Sequence, residues 1–148
     1  MERLNKFFRL PAADRRFLLK VMFLVWTVRI GLWLLPFQVI REFLAKLGRG
    51  SVEAQREGHA LIDRIVWAVT LTSDYVPAAT CLTQALVTKI LLNRHGYRAR
   101  VRLGVAQSET GQFQAHAWVE SNGAIVIGGS ELFLKHYTPL PLADEEII

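Results

Sequence analysis

Hydrophobic periodicity changes near Gly96, and this change constrains the fold more than any other feature of the sequence. Before Gly96, residues 60–72 and residues 81–93 carry apolar side chains at near-helical spacing, which predicts two helices. After it, apolar residues alternate with arginines over residues 98–105, which predicts a half-buried strand. The chain is therefore predicted to adopt an α+β fold, with helices followed by a small antiparallel sheet.

The helix predicted over residues 81–93 is amphipathic. An apolar stripe is expected to face the core, and it consists of Leu82, Ala85, Leu86 and Ile90. Four polar residues are expected to lie away from this stripe, namely Thr83, Gln84, Thr88 and Lys89. The pattern thus predicts one buried side for this helix.

Two further segments complete the predicted sheet. Residues 113–120 alternate in polarity and predict a second strand, and Asn122-Gly123 indicates a tight hairpin because both residues tolerate positive φ. Residues 124–127 are continuously apolar, as expected for a strand buried on both faces. Residues 107–112 are predicted to form a polar turn, and residues 137–148 are predicted to form a tail.

Residues 1–50 are predicted to form an N-terminal helical region, and residues 51–148 the core of the fold. Pro36 is expected to divide the first region into two helices that meet near Leu35, since proline is costly inside a helix. Gly48 and Gly50 are plausible stop and linker residues.

The apolar segment 17–37 requires a test for a membrane span. Lys20 and Arg29 interrupt it, and the charge-free runs 21–28 and 30–40 fall short of the roughly 20 apolar residues that span a bilayer. A buried or partner-facing helix is therefore expected. Peripheral membrane contact stays open because basic residues flank the apolar run.

The single cysteine, Cys81, excludes an intramolecular disulfide and suggests a reducing, cytoplasmic location. No secretory signal is expected, because the first residues are not followed directly by an apolar run. The net charge of +5 does not indicate a nucleic-acid partner, since no basic run interleaved with aromatics and no zinc-finger spacing is present. A basic surface suited to an acidic peptide is the simpler interpretation.

No cofactor and no metal are expected. Gly48-Arg49-Gly50 lacks the pattern of a phosphate-binding loop. A zinc site would need more than one cysteine or a close pair of histidines, and His59, His95 and His136 show no such spacing.

Cys81 and His116 are the candidate catalytic residues. Cys81 stands where a loop becomes a helix, and the free N–H groups and partial positive charge of a helix N-terminus favour a nucleophilic thiolate and can bind an oxyanion. His116 lies on the second predicted strand, on the same face as Trp118 and Glu120. By residue type and spacing alone, a buried structural cysteine and a structural histidine remain the more common interpretation.

A wider resemblance supports the catalytic interpretation. The residues that carry it in the core are Cys81-Leu82-Thr83-Gln84-Ala85-Leu86, Leu91-Leu92, Gly96, Gly104-Val105 and Phe113-Gln114-Ala115-His116-Ala117-Trp118-Val119-Glu120. Those in the N-terminal region are Arg9-Leu10-Pro11-Ala12-Ala13-Asp14-Arg15 and Leu35-Pro36-Phe37. With these residues the sequence closely resembles, over residues 80–129, the leader peptidase of lasso-peptide biosynthesis, called the B protein or the second half of a split B protein. The resemblance to that family is weak in the N-terminal region.

The resemblance implies a papain/transglutaminase-like core in which a cysteine-bearing helix packs on a small antiparallel sheet. It implies that Cys81 is the nucleophile and His116 the base of a peptidase that removes the leader from a ribosomally made precursor. It also implies two partner proteins, a separate leader-recognition protein and an ATP-dependent macrolactam cyclase. A catalytically silent scaffold and a transglutaminase-type amide-transfer enzyme are the alternatives.

One departure from the family concerns the residue that orients the histidine. Many members place an aspartate about a dozen residues after it, whereas residues 127–131 contain no aspartate here. Counting back from the Asn122-Gly123 turn places Gly129 opposite His116. A backbone carbonyl, a water or a nearby side chain such as Glu131 is therefore expected to fix the imidazole.

Several neighbouring residues have simpler interpretations. Core packing is favoured for Trp118 over shielding the site or binding leader side chains. Pairing with an arginine and a solvated strand end are equally plausible for Glu120. A solvated face is favoured for three arginines, namely Arg98, Arg100 and Arg102. The helices of residues 17–47 are expected either to cover the sheet face that carries Phe113 or to present a docking surface.

Overall fold

The computed structural model describes residues 8–47 and 58–140 of the chain. Helices come first and an antiparallel sheet follows, which confirms the predicted α+β fold. The helices are α1 (Ala12–Leu34), α2 (Phe37–Leu47), α3 (Gly58–Ser73), α4 (Cys81–Arg94) and the short α5 (Glu131–Leu134). The strands are β1 (Ala99–Gln107), β2 (Phe113–Ser121), β3 (Ala124–Ile127) and β4 (Thr138–Pro139).

The break between the first two helices lies where the sequence predicts it. Leu35 is extended (φ −113°, ψ 146°), as the residue before a proline prefers, and α2 begins directly after Pro36. Two helices meeting near Leu35 are thus confirmed. The predicted linker at Gly48 and Gly50, and the boundary between residues 50 and 51, lie outside the described residues and stay predictions.

Helix α4 is the centre of the fold, because α1 and α3 pack on one side of it and β1 and β2 on the other. Thr83 and Thr88 are fully buried and Lys89 nearly so. The prediction that these three residues lie away from the core is therefore wrong. Periodicity identified the helix, but a helix enclosed by two layers buries its polar residues as well as its apolar stripe.

Lys89 gives this burial a measurable consequence. Burial, together with the nearby Arg100 guanidinium, lowers the pKa of Lys89 to about 8. Between about pH 8 and the unfolded-state pKa of 10.5, the unfolded chain binds the extra proton, so stability rises with pH across this window. We expect the free energy of unfolding of wild type to rise by about 1–2 kcal/mol relative to that of Lys89→Met over this window. The rise is smaller than the full pKa shift would give, because Lys89 keeps part of its hydration. Urea unfolding of both proteins at several pH values measures this rise. A difference in stability between the two proteins that stays constant with pH would contradict the prediction.

The sheet has the strand order β3-β2-β1-β4, and its neighbouring strands are antiparallel. β1 and β2 pair over nine residues, from Ala99 with Ser121 to Gln107 with Phe113. The hairpin between β2 and β3 is confirmed, since Asn122 and Gly123 have φ values of 52° and 80°. β3 is not buried on both faces as predicted, because it is an edge strand with half-buried and exposed residues.

A bulge alters the predicted register of β3. Ser121 pairs with Ala124 and Glu120 with Ile125, but Val119 pairs with Ile127, so one extra residue is inserted. Pairing ends at Ile127. The predicted pairing of Gly129 with His116 is therefore wrong, because counting from the turn cannot anticipate an inserted residue.

The two faces of the sheet are covered by different elements. Ala117 and Val119 belong to the main hydrophobic core together with α4, so α4, and not the N-terminal helices, covers this face. On the opposite face, residues 131–140 cross from the β3 edge to the β1 edge and end in β4, paired with Gly104. The prediction of a tail from residue 137 is therefore wrong for residues 138–139, and α5 was not predicted.

Candidate functional site

Cys81 is the first residue of α4. The Thr80 side chain caps the helix by accepting from the Thr83 N–H at 3.4 Å, and the Thr80 carbonyl accepts from Gln84 N–H at 3.1 Å. The N–H groups of a first helical turn have no partner within the helix. Cys81 as a residue is half-buried and packs against the core. It is thus held at the start of a helix without being fully enclosed.

The lengths of α4 and β1 predict that Cys81 and His116 lie at the same end of the fold. α4 has 14 residues and therefore extends about 21 Å. After the turn at Gly96, β1 returns by about 3.3 Å per residue and is level with Cys81 after about six residues, near Val105. Val105 pairs with Ala115, the neighbour of His116.

The His116 imidazole is held by a backbone carbonyl. Nε2 lies 2.5 Å from the Gly128 oxygen. A carbonyl oxygen can only accept, so Nε2 carries the proton, and Nδ1 of the neutral ring carries the lone pair. Of the three expected orienting groups, the carbonyl is the one observed; among the described residues, no hydrogen bond joins Glu131 to His116.

Two aromatic rings complete the surroundings of His116. The Phe133 ring meets the imidazole edge-on at 5.6 Å between centroids, and the Tyr137 ring lies at 5.3 Å. Both belong to the segment that crosses the sheet after β3. Sequence reasoning missed both residues, because no local pattern shows that this segment folds back over β2. The one sequence feature that pointed to an unusual environment for His116 was the Gly128-Gly129 pair, which stands where many members of the resembled family carry the aspartate.

Gly128 and Gly129 allow the Gly128 carbonyl to approach His116 closely. Both have positive φ, at 105° and 127°. A Cβ on Gly128 would lie 2.5 Å from the Trp118 Cβ and 2.9 Å from the Ala117 carbonyl oxygen, and one on Gly129 would lie 2.8 Å from Phe133 Cδ1. Any side chain here would push the Gly128 carbonyl away from His116, so the two glycines determine where the acceptor stands.

Trp118 and Glu120 support the same face of β2. Trp118 is 4% exposed, which confirms the core-packing interpretation, and it lies over Gly104, where a Cβ would approach its ring to 2.9 Å. Its Nε1 donates to the Glu120 carboxylate at 3.0 Å. Arg102 also donates to this carboxylate at 3.2 Å, so of the two equally weighted interpretations of Glu120 the pairing with an arginine is the one observed. Arg98 is exposed, as expected for a solvated residue.

The open edge of β2 shapes access to the imidazole. Alternation sends Ala117 towards α4 and His116 to the other face. β1 pairs with β2 at His116 through Gly104, but β3 ends at Ile127, so the β3 side of β2 is unpaired at this level within the described strands. Among the described residues, no hydrogen bond joins the Cys81 thiol to His116. Their pairing as nucleophile and base stays a prediction.

The candidate groups are a thiol and an imidazole, which together suit acyl transfer. Within residues 8–47 and 58–140, no three His, Cys, Asp or Glu side chains are close enough together to hold a metal ion.

Comparison with protein families agrees with this architecture. The sequence model of the Transglutaminase-like superfamily matches residues 22–141, which is most of the chain and includes Cys81, His116 and Gly128. Comparisons with curated proteins and with solved structures give no significant match. The chain therefore belongs to the transglutaminase-like superfamily, whose members are generally cysteine-dependent enzymes.

Proposed function

We propose that this protein is a cysteine peptidase that removes the leader from a lasso-peptide precursor, with Cys81 as nucleophile and His116 as base. The observation that carries the proposal is the fixed state of His116. Its Nε2–H donates to the Gly128 carbonyl, which leaves Nδ1 as the proton acceptor. The lengths of α4 and β1 support a position near the end of the fold where Cys81 begins α4. The resemblance of the segments around Cys81 and His116 to lasso leader peptidases supplies the substrate class.

The proposed reaction has two stages. His116 Nδ1 takes the thiol proton as the sulfur attacks the carbonyl at the leader–core junction, and first-turn N–H groups of α4 bind the resulting oxyanion. The imidazolium then gives its proton to the departing core amine, which leaves a leader thioester on Cys81. Water, deprotonated by His116, hydrolyses this thioester and releases the leader as a carboxylic acid.

The family resemblance also supports a set of partners. We propose that a separate leader-recognition protein presents the precursor and that an ATP-dependent cyclase closes the macrolactam on the freed core amine. The work of this chain would then take place in the cytoplasm.

Product analysis by mass spectrometry tests the proposal. The chain, a lasso precursor and its leader-binding protein are mixed, and free core peptide is expected. Cys81→Ala is expected to abolish cleavage, because no other cysteine exists in the chain. Unchanged cleavage by Cys81→Ala would overturn the mechanism.

A silent scaffold is the second candidate, and the neutral acceptor at His116 favours it. A carbonyl stabilises an imidazolium less than a carboxylate does, so the pair could be too weak for turnover. Assembly of the precursor complex without free core would support the scaffold. The mass of the released leader separates a third outcome: an amide-transfer enzyme joins the leader acyl group to an added primary amine, whereas a hydrolase releases the leader as a carboxylic acid.

A further inference from the structure

Helix α1 has two apolar faces, and only one of them is used by the fold. Leu18, Val21, Val25 and Val28 are buried, and through them the helix packs on α3 and α4. A helix that is apolar all round normally has its second face covered as well.

The opposite face of α1 is exposed over its whole length. Its large side chains lie at spacings of four and three residues, and they are Leu19, Phe23, Trp26, Ile30 and Trp33. Phe23 is 75% exposed and Trp33 77% exposed. Val39 and Phe43 are also exposed, on α2, the next helix along the chain. We refer to these seven residues as the α1–α2 face. Exposed large apolar side chains in such number are typical of an interaction site.

Positive charge is concentrated in the same part of the molecule. Residues 8–47 contain seven Lys and Arg against two Asp and Glu, an excess of five that equals the net charge of the entire chain. Arg16 and Lys20 are exposed beside the start of the apolar row. One of the two acids, Asp14, is paired with Arg64 at 2.6 Å. The unneutralised charge beside the α1–α2 face is therefore positive.

We propose that the α1–α2 face binds a membrane surface that carries anionic lipid. Exposed tryptophan and phenylalanine side chains suit the headgroup region, and the adjacent arginine and lysine residues suit anionic lipid. α1 is long and apolar enough to cross a bilayer, with 23 residues, but its other face is docked on α3 and α4. The helix therefore lies along the surface and does not traverse it.

A second copy of the chain is the competing occupant, since the spacing of the exposed row also suits a helix partner. Charge favours the lipid surface, because dimerisation through this face would bring two surfaces of the same positive excess together. The competing occupant is distinguished by experiment.

Sedimentation with vesicles tests the proposal on the full chain. Wild type is expected to bind vesicles of phosphatidylcholine mixed with phosphatidylglycerol and to bind pure phosphatidylcholine more weakly. Phe23→Ser with Trp33→Ser is expected to lower the partition coefficient at least about tenfold, because two large apolar side chains are lost. Arg16→Glu with Lys20→Glu is expected to weaken binding to the anionic vesicles only.

Leu132→Ser is the matched control, because Leu132 is 72% exposed on α5, away from the α1–α2 face, and its loss should leave binding unchanged. Thermal unfolding checks that the variants fold, since every substituted side chain is exposed. The proposal would be overturned if wild type bound neither kind of vesicle. It would also be overturned if wild type formed a dimer by light scattering, if Phe23→Ser with Trp33→Ser dissociated this dimer, and if wild type bound no lipid. Neither result depends on peptidase activity.

Discussion

Replacing His116 with glutamine is expected to lower the rate of leader cleavage by about 10²- to 10⁴-fold, the range that a positioned acid–base group contributes. Glutamine can still donate an N–H to the Gly128 carbonyl, so the arrangement that holds His116 Nε2 is retained. It cannot accept the thiol proton or return it to the leaving amine. Single-turnover cleavage of the precursor, followed by mass spectrometry, measures the loss.

His59→Gln is the control for this substitution. His59 is exposed near the start of α3, so it should keep both the wild-type rate and the wild-type unfolding midpoint. His116→Gln is expected to unfold close to wild type, which separates lost chemistry from lost structure. A His116→Gln rate within about threefold of wild type would remove His116 from acid–base catalysis.

Most of the secondary structure is readable from local pattern. The helix predicted over residues 81–93 is observed as Cys81–Arg94, and the strand predicted over residues 113–120 as Phe113–Ser121. The break at Pro36 and the turn at Asn122-Gly123 are also correct. These features depend on periodicity, proline chemistry and positive φ, all of which act within a few residues.

The features that were missed depend on contacts between distant segments. The bulge in β3 and the crossing segment with Phe133 and Tyr137 arise from packing on Trp118 and Gly104, which no local pattern encodes. The burial of Lys89 follows from layers on both sides of α4. Gly128 was missed for a different reason, since its contribution is a backbone carbonyl that every residue type possesses.

The candidate site therefore divides into two parts. Residue type and family resemblance predict Cys81 and His116 as the catalytic residues, and this stays a prediction, whereas the group that binds the imidazole is visible only in the folded structure. A carboxylate in this position contributes charge as well as orientation, but the Gly128 carbonyl contributes orientation with only a partial charge. The position of the Gly128 carbonyl alone must then account for its effect on His116, so a small displacement of this carbonyl should lower the cleavage rate strongly.

Replacing Gly128 with alanine tests that inference and is expected to be severe. The added Cβ would lie 2.5 Å from the Trp118 Cβ and 2.7 Å from its Cα, so the backbone must move and the carbonyl with it. A positive φ of 105° adds strain for any residue with a side chain. We expect a loss of about 3 kcal/mol in the free energy of unfolding and at least about a 10²-fold loss of cleavage rate.

Gly123→Ala is the control that separates the steric part of this effect from the conformational part. Gly123 has a φ of 80°, but a Cβ there would meet no atom within 4 Å, so only the conformational cost of about 1–2 kcal/mol applies. Its position in the β2–β3 turn predicts a wild-type cleavage rate for the folded fraction. If Gly128→Ala were no more damaging than Gly123→Ala, the carbonyl could move without consequence for His116. The imidazole would then need an orienting group other than the one seen here, because a displaced acceptor cannot hold Nε2–H in the same direction.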